Sequence, residues 1–107
     1  MSRHNFFQQL FGKKDPVFRA VEEAIDLLEE QNYDEALEVL HNKALRRDPE
    51  NKRALLHVGV THMMKGDFDA AERYLKPIAT DSEKMNSEKA AAQIALQRVA
   101  KLRKEQA

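Results

Sequence analysis

The chain predicts an all-α fold, a short solenoid of stacked helix–turn–helix pairs closed by one terminal helix, and three observations carry that prediction. One short phrase occurs twice: Asn32-Tyr33-Asp34-Glu35-Ala36-Leu37 returns as Asp67-Phe68-Asp69-Ala70-Ala71-Glu72, with the two aromatics 35 residues apart. Each copy ends one apolar-periodic segment and opens another, so the unit that repeats is a helix, a turn and a second helix. The composition agrees, with three Gly and three Pro in 107 residues and abundant Ala, Leu, Glu, Lys and Gln, all good helix formers. Folds of this kind build surfaces that hold other molecules.

Residues 1–15 differ from the rest of the chain and read as a separate N-terminal segment. Pro16 suits a first helical turn with Asp15 as its cap. The helix that starts there carries Val17, Ala20, Val21, Ala24, Ile25, Leu27 and Leu28, a broad stripe at helical spacing. Gln31-Asn32 makes the turn, and a second helix is expected over residues 34–47. Asp48-Pro49-Glu50-Asn51 breaks the chain, because the residue before proline disfavours helix. A third helix is expected over residues 51–65. Gly66 ends it by supplying a left-handed residue, and a fourth helix begins at Asp69. Pro77 either stops that helix near Lys76 or kinks it, since its ring removes an amide donor and clashes with the preceding turn. Residues 80–87 form a polar connection. Ser87 with Glu88 opens the last helix, which runs to about Lys104 and carries Ala91, Ile94, Ala95, Leu96, Val99 and Leu102.

These residues resemble the tetratricopeptide repeats. Leu55, Val58, Gly59 and His62, followed by Lys65-Gly66-Asp67-Phe68-Asp69-Ala70-Ala71, look like one repeat of that family. Ala20, Ala24, Leu27, Tyr33, Ala36, Leu40 and the pair Asp48-Pro49 look like another. The resemblance implies a right-handed solenoid over residues 16–107, with repeats at 16–50 and 51–84 and a capping helix at 85–107. The chain departs from the family pattern at Glu23, at Pro77, and by one extra residue between Ala36 and Pro49. Ala24 with Ala36, and Gly59 with Ala71, are small residues 12 apart that let paired helices approach closely. Tyr33 and Phe68 would fill the space between one pair and the next.

The same resemblance makes the first helix of each pair line a concave groove. In the first unit the groove residues would be Phe18, Val21, Glu22, Ile25, Leu28 and Glu29. In the second they would be Arg53, Leu56, His57, Val60, Met63 and Met64, joined from the last helix by Lys89, Gln93 and Leu96. Val21, Ile25 and His57 stand where a carboxylate-gripping member of the family would need polar donors, so an apolar groove with acidic flanks is expected instead. Methionines adapt to irregular apolar partners, and such a groove suits an amphipathic helix or an extended segment with basic neighbours.

In the N-terminal segment Phe6, Phe7, Leu10 and Phe11 fall at i, i+1, i+4 and i+5, one face of a short helix, flanked by Arg3, Lys13 and Lys14. Three readings stay open: a fold-back onto the domain's own apolar surface, a membrane-surface foot or docking peptide, or a disordered tail.

The remaining chemistry is sparse. There is no Cys, which excludes disulfides and thiol catalysis. His57 and His62 are five apart, not the three or four that puts two metal ligands on one helix face. Three scattered Gly make no phosphate cradle, and the carboxylates sit on faces without apolar enclosure. The formal charge is zero, 18 basic against 18 acidic residues, and no aromatics interleave the basic stretches, so nucleic acid is not an expected partner. That balance is uneven along the chain. Residues 16–40 hold eight acids against Arg19 alone, and the stretch from Glu88 onward is basic. No apolar run reaches membrane-span length and no cleavable signal is visible, so a cytoplasmic site, or the cytosolic face of a membrane, is expected. The reading is a non-enzymatic adaptor or scaffold, without cofactor or metal, that binds a protein or peptide in its groove. Its alternative is a structural, membrane-proximal protein that anchors through residues 1–15 and self-associates.

Overall fold

The computed structural model of the chain describes residues 15–82 and 84–106. All regular structure among them is helical, in five successive helical segments. Helix α1 spans Pro16–Glu29; the Asp15 side chain accepts from the amides of Val17 at 3.0 Å and Phe18 at 3.1 Å, and Pro16 occupies the first turn. Helix α2 spans Tyr33–Val39 and continues as a π-helix over Leu40–Leu45. Helix α3 spans Lys52–Lys65, α4 spans Phe68–Ala79 and α5 spans Ser87–Gln106.

The phrase repeated in the sequence returns as repeated geometry. After α1, Asn32 N–H reaches Leu27 O at 2.8 Å and Gln31 N–H reaches Leu28 O at 3.0 Å. After α3, Asp67 N–H reaches His62 O at 2.8 Å and Gly66 N–H reaches Met63 O at 3.0 Å. This is one and the same Schellman closure twice, which satisfies the orphan carbonyls of each helix end. The left-handed position is Gly66 at φ 86° in one turn and Gln31 at φ 63° in the other.

Several boundaries differ from expectation for local reasons. Asn51 is the cap of α3 and not its first residue: its side-chain oxygen accepts from Ala54 N–H at 2.9 Å. Asn86 caps α5 in the same way through Lys89 N–H at 2.8 Å, and the helix begins at Ser87 as expected. The fourth helix starts at Phe68 and runs through Pro77 to Ala79. Pro77 lies in its last turn, so one missing amide does not stop it. The second helix changes to π geometry where the sequence has its extra residue. A π turn is the ordinary way a helix absorbs an insertion.

The helices pack as neighbours along the chain. α1 lies against α2 and α4 against both α3 and α5, while α3 touches every other helix and α1 does not touch α5. Two apolar clusters result. Ala20, Val21, Ala24, Leu28, Ala36, Leu40, Ala44, Ala54 and Val58 form the first. Leu56, Phe68, Ala71, Leu75, Ile78, Ala79, Ala92, Ala95 and Val99 form the second. α3 feeds both, with Ala54 and Val58 on one side and Leu56 on the other. Gly59 permits the close contact of α3 with α4: a Cβ there would stand 2.6 Å from Leu75 Cγ. The side chain packed over Gly59 is Leu75, and Ala71, the other small residue of the pair, is fully buried. On α5 the buried face is Ala92, Ala95 and Val99, which turns Ile94 outward with 65% of its surface exposed. The expected apolar stripe was off by that residue because helix periodicity fixes a face only to within one neighbour.

Candidate functional site

α1 and α3 lie side by side, and Arg53 joins them. Its guanidinium bonds Glu22 Oε1 and sits 4.8 Å from the centre of the Phe18 ring. Its Nη1 is buried with no hydrogen-bond partner. The structure thus brings together three of the expected groove residues, Phe18, Glu22 and Arg53, at one end of the α1–α3 face. His57 follows one turn along α3; its Nδ1 is 2.8 Å from Arg53 O. A carbonyl only accepts, so His57 Nδ1 is the donor in this contact. Val60 and Met63 come next, half-buried against the second cluster, then Met64, 44% exposed. Ile25 is half-buried on α1.

Three expected groove residues belong to the core. Val21 is 1% exposed, and Leu28 and Leu56 are 8% exposed. The apolar stripe of α1 is wide enough to supply both a packed face and an edge, and Val21 and Leu28 fall on the packed side with Ala20 and Ala24. Leu56 turns into the second cluster between α4 and α5. Lys89 and Gln93 secure the connection before α5: Lys89 Nζ donates to Asp81 O at 2.5 Å and Gln93 Nε2 to Ala79 O at 3.1 Å. Lys52 pairs with the same Asp81 at 2.6 Å. Leu96 is half-buried. Glu29 is exposed and makes no ion pair among the described residues. Phe6, Phe7, Leu10 and Phe11 lie outside the described residues.

One cluster went unseen in the sequence. His62 stacks on Tyr74 with centroids 5.8 Å apart and planes at 10°, and His41 meets the same ring edge-on at 6.2 Å. Its Nδ1 is buried and 3.4 Å from Asp67 Oδ2, too poorly placed for a hydrogen bond. Loss of solvent holds the His62 pKa below its usual 6.5; Asp67 opposes that shift, and Lys65 and His41 add to it. No periodicity rule pairs residues 41, 62 and 74, since each lies on a different helix.

Among the described residues no three His, Asp or Glu side chains are placed to hold a metal ion. No described helix is long and apolar enough to cross a membrane. The chain matches a family model described as tetratricopeptide repeat over residues 27–96. No curated protein and no solved structure matches it.

Proposed function

The chain belongs to the tetratricopeptide repeat family, whose members generally mediate protein–protein interactions, and from that premise we propose that it is an adaptor holding an apolar, basic-flanked segment of a partner protein along the α1–α3 face. In this reading residues 16–50 and 51–84 are the two repeats and 85–107 the cap. The observation that supports it most is the open row on α3. His57, Val60 and Met64 fall at i, i+3 and i+7 and stay half-buried or exposed, while Ala54, Val58 and Thr61 on the same helix are sealed in the core. Half-exposed apolar side chains in a continuous row gain free energy when a partner covers them. Phe18 and Ile25 extend that row onto α1.

The polar surroundings select the partner. Asp26 and Glu29 lie along α1 without ion-pair partners among the described residues. A segment with apolar anchors and neighbouring Lys or Arg fits the apolar row and these acids.

Capture from native lysate followed by calorimetry with the identified segment tests the reading. Met64→Glu and Val60→Glu are each expected to weaken binding by about tenfold or more. Met64 is exposed enough that its substitution leaves the core intact, and thermal unfolding checks both variants. Binding that ignores both substitutions in folded protein would move the working surface elsewhere.

A further inference from the structure

The outward face of α5 is a second surface with a definite chemistry. Ile94 stands 65% exposed, and Arg98 and Lys101 follow at i+4 and i+7, on the side turned away from Ala92, Ala95 and Val99. Lys104 continues the same side. Arg98, Lys101 and Lys104 make no ion pair among the described residues. Arg103 is engaged, holding Glu72 at 2.6 Å and Asp69 at 3.2 Å on α4. One large bare side chain followed along the helix by uncommitted cations is a surface suited to an acidic helix.

This chain supplies such a helix at its other end. On α1, Glu22, Asp26 and Glu29 repeat the i, i+4, i+7 spacing on the side turned from buried Ala20, Val21 and Ala24. Ile25, half-buried among them, offers an apolar seat. Glu22 and Glu23 are committed to Arg53 and Lys43, whereas Asp26 and Glu29 are not paired among the described residues. α1 and α5 do not touch within one molecule, so the two complementary faces are free to meet only between copies.

We propose that the α5 face carrying Ile94, Arg98 and Lys101 docks on the α1 face carrying Asp26 and Glu29 of a second copy of this chain. Both faces are solvent-exposed, so the contact draws on long-range attraction screened by salt. It joins unlike surfaces, so each copy keeps one free face of each kind and assembly proceeds head-to-tail beyond a dimer. The contact engages the same Asp26, Glu29 and Ile25 that the groove reading gives to a partner, so the two occupants compete for α1; its test reads the size of the assembly and leaves Val60 and Met64 unchanged.

Sedimentation velocity on the full chain tests it. The wild type is expected to grow beyond a dimer with concentration at low salt, and to fall back to the monomer at about 1 M salt, where screening acts within roughly 3 Å. Arg98→Glu with Lys101→Glu makes both faces acidic; Asp26→Lys with Glu29→Lys makes both basic. Each variant alone is expected to stay monomeric with the wild-type far-UV spectrum. An equimolar mixture of the two is expected to assemble again, because each variant's α5 then meets an opposite charge on the other's α1. A wild type that is monomeric at every concentration overturns the proposal, as does growth that stops at a dimer, assembly by either variant alone, or a mixture that stays monomeric.

Discussion

At the scale of single residues, His62 carries a pH dependence whose sign follows from its surroundings. Its folded pKa lies below the unfolded value of about 6.5 because burial against Tyr74 disfavours the charged ring. Below that pH the unfolded chain takes up the proton more readily than the folded one, so stability is full above 6.5 and is lost as pH falls through the folded pKa. Urea midpoints taken from about pH 7.5 down to about pH 5 should decline, in a range above the ordinary titration of carboxylates. His62→Phe keeps the stack on Tyr74 and should flatten that decline; an unchanged slope would place its origin in another histidine. The burial of position 62 was legible from its place in the repeated pattern. Its ring partners were not, because they come from two other helices. The same limit explains Val21, Leu28 and Leu56. Sequence puts them on a helix face, but only the neighbouring helix decides which part of that face is sealed.

At the scale of elements, the two turns after α1 and α3 share their hydrogen bonds but not their left-handed residue, Gln31 in one and Gly66 in the other. A side chain in that conformation brings its Cβ against the following carbonyl at a cost of about 1–2 kcal/mol, offset in part by the greater freedom glycine has when unfolded. Gln31→Gly is therefore expected to raise stability by about 0.5–1 kcal/mol, read from chemical denaturation. A loss would mean that the Gln31 side chain makes a contact that outweighs the strain. Turn chemistry of this kind was plain in the sequence at Gly66 and invisible at Gln31, where only the period of 35 residues betrayed it. The extra residue between Ala36 and Pro49 was countable too. Its location at Leu40–Leu45 was not, because a π turn has no composition of its own. Of the two outcomes expected at Pro77, a stop near Lys76 or a kink, the stop does not occur: α4 continues to Ala79, since a proline in the last turn forfeits a single bond to the turn before it.

At the scale of the whole molecule, α3 contributes to both apolar clusters. Ala54 and Val58 belong to the first and Leu56 to the second, while Tyr74 of α4 packs against the first and meets His41. Stability in a stacked helical array is a sum of local terms and neighbour terms, and here the neighbour term passes through α3 and the Tyr74 contact. Val99 on α5 tests how strong that term is. It is 1% exposed in the second cluster, so Val99→Ala should cost about 2 kcal/mol through lost contacts and a small cavity. If these contacts couple the clusters fully, amide exchange in α1 should accelerate with that in α5, although α1 does not touch α5, and thermal unfolding should remain one transition at a lower midpoint. If α1 keeps its wild-type protection while α4 and α5 lose theirs, the clusters unfold as separate units. The charge asymmetry of the molecule then matters more, because the acidic end could stay folded and present its α1 face while the basic end opens.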